Sequence, residues 1–464
     1  MFDITGGLVT FFAVIAISYA FRSYFAKPKL PSGVQLPPGP TSLQLLGSAL
    51  ASDADAPWVT YQAWGSQYGD MVHTRLFGQD KIVVNSEETA RDLLDHRSQN
   101  YSDRPEIYNT AFMRYSSRWR LHRKIFHQSF RQDMIPNFRL MQVTKAHELL
   151  LNLMEDPLHY ATHLDVYSAS VIVSAVYSYN AARRDDHMIE RMMKGLDVMR
   201  EMTPVTAVFF NAFPSCRPCH PFHPAVLCLP SWLPGMHIKR VAPLAKKLVL
   251  DFLETPFAHT ETASVLMNFI LAMILYPHVQ ERAHDLIESV VGTSRLPTFQ
   301  DRSSLPYVDA ILRECMRWHP VFPFGIMHAA VESDVYKGTT IIPNVWAMCH
   351  NEEKYRNASE FNPDRFLNPD GTLTDDTVSI VWGFGRRVCP GRHLAEASLW
   401  SSMACLLAIF KFSKAKDETG AEIELNPQWP VRLTVRPLPF PCSITPRNAE
   451  MDIAALQYLI RASV

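Results

Sequence analysis

Apolar and polar positions along this chain repeat with two periods, and the helical one dominates. Met71 to Phe77 and Lys81 to Asn85 alternate as strands do, and Gly78-Gln79-Asp80 between them predicts a hairpin. Ser86 followed by Glu87 and Glu88 predicts a short helix to about His96, with acids in the turn where the helix dipole favours them. Helical spacing then covers Ser117 to Phe130, Asn137 to Met154, His163 to Tyr179, Met188 to Met202 and His237 to Leu253. Pro256 interrupts the pattern, which resumes from Ala258 to Tyr276 and stops at Pro277. Val279 to Val291 and Tyr307 to Trp318 follow as helices, then short strands around Val335 to Tyr336 and Thr339 to Ile342, and a last apolar helix from Leu394 to Phe410. No internal repeat interrupts this order. The expected architecture is mainly α with a minor β-sheet.

One apolar run differs from the rest. Ile4 to Phe21 carries no charge over eighteen residues, enough to cross most of a hydrocarbon core with slight thinning or with Arg22 snorkelling. Positive charge follows it, at Arg22, Lys27 and Lys29, whereas a cleaved signal peptide would carry that charge in front. Residues 1–30 are therefore expected to be a retained, single-pass N-terminal transmembrane helix with the remaining chain cytosolic. A proline-rich linker, residues 31–45, stiffens the connection through Pro37-Pro38-Gly39-Pro40.

Composition adds bounds rather than identity. A chain of 464 residues, 47% hydrophobic and 11% aromatic, can bury a large core. Lys+Arg 45 against Asp+Glu 46 leaves a formal charge of -1, so no global field favours nucleic acid. Charge is uneven locally: seven basic residues (Arg104, Arg114, Arg118, Arg120, Arg123, Lys124, Arg131) fall between Asp103 and Gln132. That stretch is either a solvated face or one that meets an acidic partner or cofactor carboxylates. Eight cysteines spread this thinly form no disulfide framework and point to a reducing compartment. Cys216-Arg217-Pro218-Cys219-His220 matches the covalent c-type haem attachment pattern, and Cys228, His223 and His237 nearby suggest zinc. The segment is saturated with proline, and covalent haem attachment needs a compartment that the N-terminus argues against.

The chemistry concentrates in Trp382-Gly383-Phe384-Gly385-Arg386-Arg387-Val388-Cys389-Pro390-Gly391. One cysteine sits in a glycine-lined, doubly basic loop before an apolar helix whose N-terminus would stabilise a thiolate. Gly385 and Gly391 let backbone approach a flat macrocycle, and two arginines suit carboxylates. The competing readings are a tight turn around a buried thiol and a dinucleotide loop. The second fails because the third glycine is misplaced and no acid lies about twenty residues on.

This loop resembles the haem-binding signature of the cytochrome P450 family, with Trp382 where that family usually has phenylalanine. Glu314 and Arg317, three apart on the Tyr307 to Trp318 helix, and Phe361-Asn362-Pro363-Asp364-Arg365-Phe366 resemble the family's Glu-x-x-Arg helix and its Pro-x-Arg-Phe motif. The resemblance implies a cytochrome P450-like fold over residues 46–464 and an axial iron thiolate at Cys389. It also implies a buried network of Glu314, Arg317 and Arg365. Trp119 and Arg123 lie at i and i+4, and with Arg387, Gly391 and His328 they match positions that hold the haem and its propionates in the family. Glu261 and Thr262 match its acid-alcohol pair, which moves protons toward a distal oxygen.

Several departures weigh against a standard oxygen site. His259 stands where the family has glycine, and an imidazole there would block dioxygen or compete as a sixth ligand. The Ala258 to Tyr276 helix spans only about 28 Å, because the helix and half-helix that precede the pair in the family are missing. Pro105 to Phe112 is short, and Ser215 to Pro230 resembles an insertion.

Taken with the resemblance to fungal secondary-metabolism members, the expectation is an endoplasmic reticulum haem b monooxygenase. It would use O2, take electrons from NADPH through a cytochrome P450 reductase, and act on an apolar small molecule. The basic Arg114 to Arg131 face is the expected docking surface. Phe112, Val321, Phe322, Phe324 and Ile326 line an apolar cavity or belong to the core. The alternatives are a catalytically impaired haem protein, a haem-thiolate isomerase or dehydratase, and a membrane-tethered scaffold.

Overall fold

The computed structural model describes residues 36–40, 53, 56–76, 79–104, 113–194, 261–331, 340–430 and 434–463. The expected anchor at residues 1–30, most of the linker, His259, Phe112, the Cys216 to Cys228 cluster, the His237 to Leu253 helix and the Val335 to Tyr336 strand lie outside these residues. Among the described residues no single helix is long and apolar enough to cross a membrane.

The helices in chain order are α1 (Pro57–Tyr68), α2 (Glu87–Arg91), α3 (Ser117–Phe130), α4 (Arg139–Glu155), α5 (Tyr160–Tyr177), α6 (Glu261–Leu275), α7 (Pro277–Val291), α8 (Pro306–Trp318), α9 (Val345–Cys349), α10 (Arg392–Ile409) and α11 (Ile453–Ala462). The strands are β1 (Met71–Leu76), β2 (Gln79–Val84), β3 (His328–Ala329), β4 (Thr340–Pro343), β5 (Phe410–Lys414) and β6 (Cys442–Pro446). Helix predominates, with a four-stranded sheet in the order β1-β2-β4-β3 and a two-stranded one, β5-β6.

The core is built around α6. Residues 262–274 are buried on every side, as expected of a helix apolar all round, and α5, α8, α10 and β5 pack against it. Pro277 cannot continue α6, and the chain turns by 102° into α7. Below α6, α10 packs on α4, and Gln142 of α4 donates to the Leu394 carbonyl (2.9 Å) and to Ser398 Oγ (2.8 Å).

Several elements differ from the sequence expectation for identifiable reasons. Gln79 and Asp80 belong to β2 rather than to a turn, because the antiparallel register pairs Leu76 with Gln79. The helix expected from Ser86 to His96 has two parts. After α2 it widens into a π-turn over Asp92–His96, where Arg97 N donates to Asp92 O at 3.0 Å. The helix expected from His163 begins at Tyr160 and ends before Ser178, whose φ of 52° reverses the chain. The expected start at Asn137 falls inside a 3-10 turn, Gln132–Phe138, that contains Pro136. Of Met188 to Met202, residues 187–194 are helical and the remainder lies outside the described residues. Phe410 leaves the expected last helix to start β5, tied by Phe412 N to Gln280 Oε1 at 2.7 Å.

Candidate functional site

The cysteine loop is assembled from two 3-10 turns, Ser379–Trp382 and Gly385–Arg387, joined through Gly383 at φ 83°. Its strap is short: Cys389 N donates to the Trp382 carbonyl at 2.7 Å. Gly391 is the N-cap of α10, and a Cβ there would meet no protein atom within 4 Å, so that side of the loop is open. Cys389 is partly exposed, two residues from the positive end of an 18-residue helix. The other thiols contrast with it. Cys349 and Cys405 are fully buried, and burial pushes each up to about 12, the behaviour of inert core cysteines.

A cationic cluster stands beside the loop. Arg387 Nε donates to Ser102 O (2.7 Å), its Nη2 to Met113 O (2.8 Å), and its guanidinium lies 4.1 Å from the Trp119 ring centroid. Arg104, only 4% exposed, gives Nη1 to the carbonyls of Ile326 and Met327, both at 2.6 Å. Arg104 Nε and Arg387 Nη1 are buried with no acceptor. Burial and the neighbouring Arg387 push Arg104 well down, while burial, with Arg123 adding to it, lowers Arg387 to about 10. His328 is held neutral by burial and by Arg104 and Arg387. Its Nδ1–H goes to the Tyr101 carbonyl at 2.7 Å, so Nε2 donates only when the ring is protonated. The nearby acid is already engaged, since Asp103 accepts from Arg114 Nε (3.1 Å) and Tyr115 N (2.7 Å).

Buried guanidinium donors without acceptors are costly unless an anion meets them. The donor set therefore fits the carboxylate edge of a haem. Arg123 sits on the thiolate side of this cluster: burial lowers it, the Cys389 charge raises it, and Arg392 lowers it again. Arg104 was counted in the basic run but not singled out by sequence reasoning. The signal available was its place in Ser102-Asp103-Arg104-Pro105, immediately before a proline that ends the segment.

Glu314 and Arg317 are both wholly buried. Arg317 Nε meets Glu314 Oε2 at 2.6 Å and its Nη2 meets Oε1 at 2.8 Å, while Arg365 Nε reaches Oε1 at 3.1 Å. Arg317 further donates to the carbonyls of Cys349, Ala358 and Glu360, and Glu314 Oε1 also takes Asn362 N. One ion pair thus ties α8 to α9 and to the whole stretch ahead of the cysteine loop.

On the other side of the core, Thr262 is 7% exposed in the first described turn of α6, beside Glu261. Among the cavity candidates, Val321 joins the main core and Phe324 packs on Trp58 (5.6 Å) and Tyr61 (5.5 Å) in an aromatic cluster under the sheet. Phe324 is thus core. The outer face of α3 carries exposed Leu121, Ile125 and Phe126 among Arg118, Arg120 and Lys124. Next to it a cleft of about 270 Å³ is lined by Arg123, His127, Arg131, Arg392 and His393, with one acid, Asp133, paired to Arg131 at 3.0 Å.

Comparison with known proteins agrees with this geometry. The sequence profile described as Cytochrome P450 matches residues 37–222 and 245–440. The cytochrome P450 monooxygenase COX1 of Coprinopsis cinerea is 31% identical over 94% of this chain and 96% of its own length. Cytochrome P450 monooxygenase 208 of Postia placenta is 30% identical over 97% and 96%, and the monooxygenase claR of Ampulloclitocybe clavipes 30% over 90% and 87%. The match to COX1 spans 506 positions against 464 residues here, so that relative carries segments without a counterpart in this chain.

Proposed function

Because this chain belongs to the cytochrome P450 family and is a haem-thiolate monooxygenase in general type, we propose that it inserts one oxygen atom of O2 into an apolar small molecule, with electrons passed from NADPH by a separate reductase. The observation that carries the proposal is the pairing of a partly exposed cysteine at the α10 N-terminus with a cluster of buried arginines whose donors lack acceptors. Haem bound there supplies reductive activation of dioxygen on a thiolate-ligated iron.

The chain's own residues would divide the work. Cys389 would hold the iron, with the α10 dipole and the nearby Arg123 favouring the charged sulfur. Arg104 and Arg387 would neutralise the carboxylate edge, with the Arg387 guanidinium held over the Trp119 ring. Glu314, Arg317 and Arg365 hold the stretch that leads into the loop. Glu261 and Thr262 would bring protons to the oxygen side, the acid as source and the hydroxyl as donor. The exposed face of α3 and the adjoining cleft, cationic with an apolar strip, suit an acidic redox partner. Residues 1–30 would tether the body to the endoplasmic reticulum membrane from the cytosolic side.

The test is a carbon monoxide difference spectrum of the reduced protein, then oxygen uptake with NADPH, reductase and candidate apolar compounds. Loss of the thiolate-type Soret band in Cys389→Ala and substrate-dependent uptake in the wild type are expected. A Cys389→Ala spectrum identical to wild type would overturn the ligand assignment. Absence of uptake, restored by His259→Gly, would show instead an impaired oxygen site.

A further inference from the structure

We propose that Asp95 is a positioning residue of the thiolate centre: its carboxylate, carried on a π-turn, holds the cysteine loop by its Gly385 amide and so fixes the ligand state of Cys389. The proposal rests on the haem-thiolate reading. Three observations converge on it.

The first is the contact itself. Asp95 Oδ1 accepts the Gly385 N–H at 2.5 Å across 290 residues of sequence. Four neighbouring amides are satisfied within the loop: Gly383 N by Ile380 O, Arg387 N by Phe384 O, Val388 N by Gly385 O and Cys389 N by Trp382 O. Gly385 N is the amide that reaches out, and Asp95 is what it reaches.

The second is the local backbone on both sides. Gly385 has φ 50°, and a Cβ on it would lie 2.1 Å from Leu94 O, so loop and π-turn touch through bare backbone. Asp95 itself lies within the π-turn over Asp92–His96, next to the Leu94 whose carbonyl faces Gly385.

The third is how the carboxylate and the loop are braced. Arg91 donates Nη1 to Asp95 Oδ2 (3.2 Å), Nε to Glu87 (2.9 Å) and Nη2 to Ser379 Oγ (2.9 Å), the first residue of the loop's leading 3-10 turn. Just before it, buried Val378 sits at φ 51°, a conformation that a β-branched side chain resists, held by its N–H on Asp376 Oδ1 at 2.9 Å. Two carboxylates thus grip the loop's main chain, Asp376 at its strained entrance and Asp95 four residues before Cys389.

Fixing the loop matters because a thiolate ligand that can swing or take a proton stops being a thiolate ligand. The experiment compares wild type, Asp95→Ala and Asp95→Asn by the carbon monoxide spectrum of the reduced protein after mild guanidinium treatment, with the ferric/ferrous midpoint potential as a second readout. Alanine removes the acceptor, and about a tenfold rise in the ratio of the blue-shifted to the thiolate-type band is expected, with a shifted potential. Asparagine keeps an acceptor oxygen, and a ratio within about twofold of wild type is expected. An alanine protein within twofold of wild type in ratio and unchanged in potential would overturn the proposal, as would asparagine impaired as much as alanine. Should the alanine protein not fold, hydrogen exchange of the Gly385 amide in the wild type decides: protection supports the proposal, and exchange at the free-peptide rate overturns it. A wild-type spectrum lacking the thiolate-type band would instead refute the underlying haem-thiolate reading.

Discussion

Replacing Glu314 with alanine should cost this protein more stability than removing almost any other single side chain. Arg317 is 0% exposed and keeps its charge, so truncating Glu314 leaves a buried guanidinium without its counter-ion, at about 3–5 kcal/mol. Two more groups lose their acceptor at the same time, Asn362 N (2.8 Å) and Arg365 Nε (3.1 Å). Set against a total folding stability of about 5–15 kcal/mol, the protein should remain folded only marginally. With a urea slope of about 3 kcal/mol per molar, a 4 kcal/mol loss moves the midpoint down by more than about 1 M. The double variant Glu314→Leu/Arg317→Met separates two explanations. A buried pair that acts only through its mutual charge can be replaced by apolar residues at little net cost. Here Arg317 also holds the carbonyls of Cys349 (2.8 Å) and Ala358 (2.9 Å), which the double variant strands along with Asn362 N, while the Glu360 carbonyl keeps Arg365 Nη2 (3.3 Å). Each stranded group costs about 1 kcal/mol or more, so the double variant should stay within about 1 kcal/mol of the single one. Recovery to wild-type stability in urea titration would refute the reasoning.

Three further outcomes are expected. Gly385→Ala places its Cβ 2.1 Å from Leu94 O at a φ of 50°, and should lower the haem-to-protein absorbance ratio severalfold; a wild-type ratio would show the loop can move aside. Burial lowers His147 and His284 to about 4, so the unfolded chain takes up these protons first. Their contribution to stability is whole above pH 6.5 and is lost as pH falls toward 4, by up to about 3 kcal/mol each, and His147→Leu should flatten the urea midpoint against pH over that window. Trp400 Nε1 is buried with no acceptor, so Trp400→Phe should cost less than about 1 kcal/mol by thermal unfolding despite its smaller ring, whereas a loss above 3 kcal/mol would show the indole packing outweighs the stranded N–H.

The helical frame was legible because its period is written in apolar positions that later prove buried: Ile311, Leu312 and Cys315 of α8, or Leu399, Met403 and Leu407 of α10. Elements with weak periods escaped. α1 buries only Trp58 and Trp64, and β3 has two residues defined by partners in β4 rather than by any pattern of its own. Boundaries slipped where backbone geometry decides, as at Ser178 and in the Gln132–Phe138 turn, since a left-handed residue or a 3-10 turn leaves almost no trace in hydrophobicity.

Within the site, the residues that could be read from sequence act through side chains at fixed local spacing. Glu314 and Arg317 are three apart on one helix, Trp119 and Arg123 four apart, and Cys389 sits between glycines. Arg104, Asp95 and Asp376 act differently, by meeting backbone or a distant guanidinium, and nothing in their neighbours' chemistry announces the partner. The cost of assembling like charges makes the distinction physical. Arg104, Arg123 and Arg387 lower one another or suffer burial, and His328 is driven neutral among them. Asp103 offsets part of that repulsion at Arg104 and Arg387, and an anion seated on the cluster would offset more. The fold meets that cost by bracing Arg387 on the Ser102 and Met113 carbonyls and Arg104 on those of Ile326 and Met327, whose positions depend on segments far apart in the chain. A motif can therefore name Cys389, Arg123 and Arg387, while Arg104 joins them only when the folded backbone brings the Ile326 and Met327 carbonyls to it.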